Sequence, residues 1–344
     1  MGKYYDGTKL LSMKDINGET PEIYLSSSNR NAGKTTYFNR LVVNRWRDGK
    51  GKFMLIYRFK YELENVSQKF FKDVGSLFFP DLKMTEKSKG SGIYHELYLN
   101  NKPCGYAVCL SSADGIKKQS HEFSDTSIML FDEFQSETNH YVGKEVEKLQ
   151  SIHTSVARGQ GEMVRYVPVI MISNPVTLLN PYYVAMGIST RLNSKTKFLK
   201  GDGFVLEQGF NEEASKAQSS SAFNRAFAST NYTEYAAQGI YLNDNKAFIE
   251  KPKGNSCYVC TIKYNGQNYA VREFADQGIV YCDDKADLTF PKRISVTTED
   301  HNVNYVMLHK NDMLIMTMRY YFENGCFRFK DLRCKEALMK CISY

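Results

Sequence analysis

Apolar and polar positions fall in alternating blocks along the first half of the chain. Pro21-Glu22-Ile23-Tyr24-Leu25 reads as a short apolar strand. A run of small and polar residues, Ser27 to Thr36, follows it. Phe38, Leu41, Val42 and Arg45 then recur at helical spacing up to Trp46. Phe53-Met54-Leu55-Ile56-Tyr57-Arg58 is a buried-type strand. The block predicts strand, loop, helix and strand, with a right-handed crossover between parallel strands.

The same reading extends onward. Leu63, Val66, Phe70 and Phe71 predict a helix over Tyr61–Val74, and the polar stretch Lys83–Gly92 a mobile loop. Tyr94–Leu99, Asn100-Asn101 and Gly105–Leu110 predict a hairpin. Asp114–Asp125 reads as a polar connection. Ser127–Phe134 and Val167–Ile172 read as strands buried on both faces, and Glu145–Ala157 as a helix between them. From Gly209 to Asn245 the chain turns rich in Ser, Ala, Asn and Gln, with helical spacing from Glu212 to Phe227. After Lys246 the period changes. Phe248-Ile249-Glu250, Cys257–Tyr264, Tyr269–Phe274 and Gly278–Cys282 predict short strands, and Asp312–Asn324 and Asp331–Ile342 predict helices. The fold class is therefore α/β, a mostly parallel sheet over residues 1–208. A linker at 209–245 and a smaller α+β domain at 246–344 complete the chain.

Composition narrows this modestly. A chain of 344 residues with 42% hydrophobic content can bury two cores. A net charge of +7 suits a polyanionic partner without requiring one. The eight cysteines are scattered and read as reduced thiols. Cys257 and Cys260 have zinc-knuckle spacing, but a strand turns positions i and i+3 to opposite faces. No apolar run approaches the ~20 residues of a membrane span, so no membrane partner is expected. Asp6 stands where a myristoylation signal wants Ser or Thr.

The chemistry sits where strands end. Ser28-Asn29-Arg30-Asn31-Ala32-Gly33-Lys34-Thr35-Thr36, between a strand and a helix, has the context of a phosphate-binding loop. Its backbone N–H groups and the helix N-terminus face phosphate oxygens. Lys34 reaches the outer phosphates of ATP and Thr35 holds Mg2+. Ser28 occupies the position where the pattern wants glycine, which predicts backbone strain if φ is positive there. Farther on, Ile128-Met129-Leu130-Phe131 runs into Asp132 and Glu133 at a strand's carboxyl end, where ligands bind in doubly wound sheets. Asp132 organises Mg2+ and Glu133 polarises the attacking water. Asn174, closing the strand before Pro175, is either a γ-phosphate sensor or a turn former.

With Asn29-Arg30-Asn31-Ala32-Gly33-Lys34, Phe131-Asp132-Glu133-Phe134 and Ser173-Asn174 in order, the sequence resembles the small DNA-packaging (encapsidation) ATPases of short-tailed phages, the phi-twenty-nine-like type. The likeness also runs through Tyr57-Arg58, Glu62-Leu63, Phe248–Lys251, Tyr264-Asn265-Gly266, Gln277-Gly278 and Thr297–Asp300. Ser28 and Asn31 depart from it by replacing loop glycines.

The resemblance implies an ASCE-type P-loop ATPase domain and a ribonuclease-H-like C-terminal domain without nuclease activity. It implies a homo-oligomeric ring, pentameric in the family, on the portal vertex of a procapsid in the host cytoplasm. ATP hydrolysis there pumps double-stranded DNA. Prohead RNA is a partner in part of the family. Arg158 matches the arginine finger that reaches a neighbour's ATP, and the residues alone equally allow a helix-end charge. Arg30 is read evenly as a γ-phosphate contact or a solvated charge. Lys60, Lys117 and Lys118 are candidates to grip DNA through its phosphates. The rival reading is a terminase-type nuclease built on Asp276, Asp283, Asp284 and Asp287.

Overall fold

The structure, a computed structural model, describes residues 5–138, 140–159, 161, 163–177, 180–188, 191–192, 196–226, 248–309 and 311–342. The chain divides into two compact units, Met1–Met186 with Leu192–Leu242, and Gly187–Arg191 with Asn243–Tyr344.

The first unit carries β1 (Ile23–Ser27), β2 (Lys52–Tyr57), β3 (Met84–Lys89), β4 (Tyr94–Leu99), β5 (Lys102–Cys109), β6 (Thr126–Asp132), β7 (Val169–Ser173), β8 (Phe198–Gly201) and β9 (Phe204–Gln208). They join in the order β3-β4-β5-β2-β6-β7-β1-β9-β8. Every pairing from β5 to β9 is parallel, and antiparallel pairings extend both edges. The predicted strand–helix–strand unit is present. Its two strands are not neighbours, because β6 and β7 lie between β1 and β2.

Helices of this unit are α1 (Thr8–Ser12), α2 (Lys34–Arg47), α3 (Val66–Phe78), α4 (Ala113–Lys118), α5 (Glu145–Val156), α6 (Pro181–Ala185), α7 (Glu212–Ser220) and α8 (Ala222–Ala226). Phe38, Val42 and Val43 of α2 share one core with Tyr24, Leu55, Leu130, Ile172 and Val205 from five parallel strands. Burying each such side chain stabilises the fold by about 1.5–3 kcal/mol, which fixes α2 against the sheet and its first residue at the strand ends.

Three expectations are corrected here. Lys83–Gly92 contains strand β3, paired with β4 through Met84↔Leu99 to Lys89↔Tyr94. Its polar sequence reflects an exposed sheet edge, where charges are favoured. The helix expected over Tyr61–Val74 is a 3-10 turn, Lys60–Leu63, followed by α3 from Val66, because Asn65 is left-handed with φ 55°. The strand expected at Phe248–Glu250 is only an isolated bridge, Phe248 to Phe329. The expected hairpin of β4 and β5 turns through Asn100 and Asn101, both at positive φ. Part of the expected linker, residues 227–245, lies outside the described residues.

The second unit is α+β, as expected. Its strands are β10 (Cys257–Tyr264), β11 (Gln267–Phe274), β12 (Ile279–Asp283), β13 (Arg293–Ser295) and β14 (Phe327–Phe329). β10, β11 and β12 form an antiparallel meander, with β13 and β14 parallel on its two edges. Helices α9 (Met313–Glu323) and α10 (Leu332–Ile342) cover it. Cys260 is buried while Cys257 is exposed, so the zinc-like spacing puts the two thiols in different surroundings.

Candidate active site

The candidate phosphate loop joins the end of β1 to the start of α2. Asn31 at φ 59° and Gly33 at φ 96° make its left-handed turns. Asn and Gly are the residues that tolerate this region best. Ser28 keeps a negative φ, so the strain expected from its missing glycine is not there. Instead its carbonyl and hydroxyl oxygens both accept hydrogen bonds from Lys34 Nζ at 2.9 Å, and Asn29 O accepts a third at 3.3 Å. Lys34 is buried, and burial pushes its ammonium down to about 8, against the pull of Asp132 and Glu207. The loop is also held from outside. Tyr5 N–H donates to Ala32 O at 2.9 Å, and Tyr5 Oη donates to Glu207 Oε2 at 2.6 Å.

Thr35 and Asp132, far apart in sequence, meet. Thr35 Oγ1 donates to Asp132 Oδ2 at 2.9 Å. Burial raises the Asp132 carboxyl to about 6, the Glu133 charge adds to this, and the Thr35 hydrogen bond opposes it. A hydroxyl and a carboxylate side by side are hard oxygen donors. That set fits Mg2+, which takes one or two protein ligands and completes its shell with phosphate and water.

Glu133 has φ 57°. A non-glycine residue held there costs on the order of 1–3 kcal/mol and persists only where its surroundings impose it. The surroundings are plain. Arg58 Nη1 donates to Glu133 O at 3.2 Å and Nη2 to Phe134 O at 2.8 Å. Arg58 Nε is bound by both Glu145 oxygens, at 3.1 and 3.0 Å. Glu145 also accepts from Tyr182 Oη and Val142 N–H, each at 2.8 Å. Phe134 is fully buried against Tyr182 and Tyr183. Next along, Gln135 Oε1 accepts from Val176 and Thr177 N–H, both at 3.1 Å, tying this turn to the chain after Asn174. Glu133, Asn174, Arg30 and Arg58 line one cavity of about 230 Å3. Arg30 pairs with Glu137, also on its wall.

Other predicted residues lie elsewhere. Helix α5 begins with Glu145 beside Arg58 and runs about 18 Å to its end. Arg158, exposed just past that end, donates from Nε to Thr154 O at 3.3 Å. There Arg165 bridges Val156 O and Thr126 O, at the amino end of β6 and so at the opposite end of that strand from Asp132. A single chain therefore does not bring Arg158 to its own Lys34. Lys60, Lys117 and Lys118 are exposed. Lys60 and helix α4, which carries Lys117 and Lys118, each approach the β3–β4 turn. A Cβ on Gly92 would sit 3.5 Å from Lys60 Nζ, and one on Gly115 of α4 would sit 3.1 Å from Ile93.

Three of the four acids proposed for a nuclease are engaged otherwise, and Asp276 is exposed. Asp283 pairs with Arg272 at 3.1 Å, Asp284 pairs with Lys330, and Asp287 accepts from Thr289. Among the described residues no group of three or more His, Cys, Asp or Glu side chains is placed to hold a metal ion.

Sequence reading missed Arg58, Glu145, Gln135 and Tyr5 as parts of the site. Arg58 gave one signal, a charge at the carboxyl end of an apolar strand. Glu145 looked like an ordinary helix start.

Comparison with known proteins gives the family and the fold. The profile of the podovirus DNA encapsidation protein (Gp16) family matches residues 1–342. The DNA packaging protein of Bacillus phage phi29 is 29% identical over 304 residues, 87% of each chain. A solved structure of the bacteriophage Phi-29 viral genome packaging motor assembly is similar with a TM-score of 0.59 at 27% identity, covering 99% of this chain and 100% of that one. The Phi-28 gp11 DNA packaging motor is similar in fold, with a TM-score of 0.62 at 15% identity over 100% and 99% of the two chains. The chain thus belongs to the podovirus DNA encapsidation protein family.

Proposed function

We propose that this protein hydrolyses ATP to drive double-stranded phage DNA through the portal vertex into a preformed procapsid. The carrying observation is the meeting of Thr35 with Asp132 beside a Glu133 that faces the same cavity as Asn174. ATP would draw the Lys34 ammonium from the carbonyls of Ser28 and Asn29 onto its outer phosphates. Backbone N–H groups of Ser28–Thr36 would hold the rest of the phosphate chain. Thr35 and Asp132 would hold Mg2+, which neutralises charge developing on the transferred phosphoryl group. Glu133 accepts the proton of the attacking water, and Asn174 senses the γ-phosphate.

Arg158 reads as the finger that completes a neighbouring subunit's site, which calls for a ring, here a pentamer. Its position at the far end of α5 supports action between chains. Lys60, Lys117 and Lys118 grip DNA phosphates without reading bases. In this reading 1–208 is the motor domain, 209–245 a linker and 246–344 a ribonuclease-H-like domain that does not cut. The ring works in the host cytoplasm on the procapsid, with prohead RNA as a further partner.

The test is DNA-stimulated ATPase and DNA protection with purified procapsids, before and after ribonuclease treatment. Stimulation and protected DNA are expected with intact procapsids, and ribonuclease should abolish both. An ATPase rate indifferent to DNA and procapsids together would overturn the reading.

A further inference from the structure

Asn29, inside the candidate phosphate loop, commits its side-chain amide to Asn211. Its Oδ1 accepts from Asn211 N–H at 2.9 Å and its Nδ2 donates to Asn211 O at 3.0 Å. The amide pairs with one residue's main chain as a strand neighbour would, and both contacts fix which end is oxygen. Asn29 is fully buried. Asn211 in turn caps α7, its own Oδ1 accepting from Ala214 N–H at 2.9 Å. Gly209 N–H donates to Ser27 O at 2.8 Å, and a Cβ there would lie 3.3 Å from Ser28 Cβ.

Helix α7 buries no side chain of its own. A helix without a packed face has little to hold it beyond its ends. Its hold on the sheet is therefore concentrated just ahead of its first turn, in the Asn29–Asn211 pair and the Gly209–Ser27 hydrogen bond. The peptide carrying Asn29 is gripped from the other side by Lys34, through Ser28 O and Asn29 O. We propose that Asn29 is a positioning residue that reports nucleotide occupancy to α7. When phosphate takes the Lys34 ammonium, the Ser28–Asn29 peptides lose their inner partner, and the change reaches Asn211 and the cap of α7. This coupling rests on the reading of Ser28–Thr36 as a phosphate loop. The ligand's leverage is its different contact with the two arrangements of that peptide.

Hydrogen–deuterium exchange of amides 209–216 tests it, on the full chain with and without ATPγS and Mg2+. A fluorescent nucleotide titration runs on the same samples. In the wild type, bound nucleotide should change exchange at Asn211 and Ala214 while amides in the middle of α5 stay constant. Without nucleotide, Asn29→Ala should speed exchange at Asn211 about five-fold, the worth of one hydrogen bond, and nucleotide should no longer change it. Asn29→Asp keeps the acceptor and should show a smaller effect. Nucleotide binding with unchanged exchange at 209–216 in the wild type overturns the coupling alone. Absence of nucleotide binding overturns the phosphate-loop reading and the coupling with it. If Asn29→Ala does not fold, the wild-type and Asn29→Asp arms still decide.

Discussion

Arg58 holds Glu133 by its main chain: Nη1 donates to the Glu133 carbonyl at 3.2 Å, and both residues line the same cavity. The guanidinium bridges two successive carbonyls and two carboxylate oxygens at once. A lysine cannot reproduce that fork. Arg58→Lys should keep ATP affinity within a few-fold and lower turnover by about 100-fold, the effect of misplacing a catalytic group. Arg58→Ala leaves Glu145 buried and unpaired by this residue, and should cost about 3–5 kcal/mol of stability. Steady-state ATPase and urea unfolding of the two variants separate these effects.

Glu133, proposed as the base, also carries the strain of a positive φ. Glu133→Gln should bind ATP and lose turnover by about 100- to 10,000-fold, the usual worth of a general base. Glu133→Asn places a residue tolerant of positive φ at this turn and should raise stability by about 1 kcal/mol while also ending turnover. Thermal unfolding beside single-turnover hydrolysis checks both halves.

Arg158 and Glu133 are expected to act on one ATP from two chains. Arg158→Ala and Glu133→Gln proteins, each inactive, should recover measurable ATPase when mixed. Confirmed mixed assemblies with no recovery at any ratio would place the finger elsewhere.

Lys34 sets a pH dependence. Its ammonium, pushed down to about 8 by burial, has an ordinary value of 10.5 when unfolded. Between those values the unfolded chain binds the proton that the folded chain lacks, so this residue makes stability rise with pH across that window. The full rise is about 3 kcal/mol. Burial holds Lys335 down as well, to about 7, so its effect overlaps. The difference between wild type and Lys34→Met isolates the Lys34 part. ATP phosphates should restore the proton, so binding above pH 8 takes up hydrogen ion. Calorimetry in two buffers of different ionisation enthalpy reads that uptake directly.

The strand, turn and helix of the candidate phosphate loop were legible because everything that defines them is local: an apolar strand, a small-residue turn and Gly33-Lys34-Thr35 at a helix start. The place of Asp132 and Glu133 at a strand's end was legible for a similar reason, four apolar residues ending in two acids. Ser28 misled, since the turn puts its left-handed residues at Asn31 and Gly33 and uses Ser28 as a hydrogen-bond acceptor. The Arg58–Glu145 pair was not legible, because two charges separated by two helices and four strands announce nothing until the sheet brings them together. Strand β3 was hidden by its edge position, where burial imposes no alternation on most of its residues.

The placement of β1 has a consequence for synthesis. Its two hydrogen-bonded neighbours are β7 and β9, with Ile23 opposite Val169 and Phe204. While the ribosome is still making the intervening chain, the strand that carries the phosphate loop has neither partner. β2, β5 and β6 can pair with one another meanwhile. Closing contacts so distant in sequence is slow, and an unpaired strand edge invites association. ATP competence should therefore arrive late and abruptly in translation, once residue 208 has cleared the exit tunnel. Chains truncated before β9 should be prone to aggregate rather than to bind nucleotide weakly.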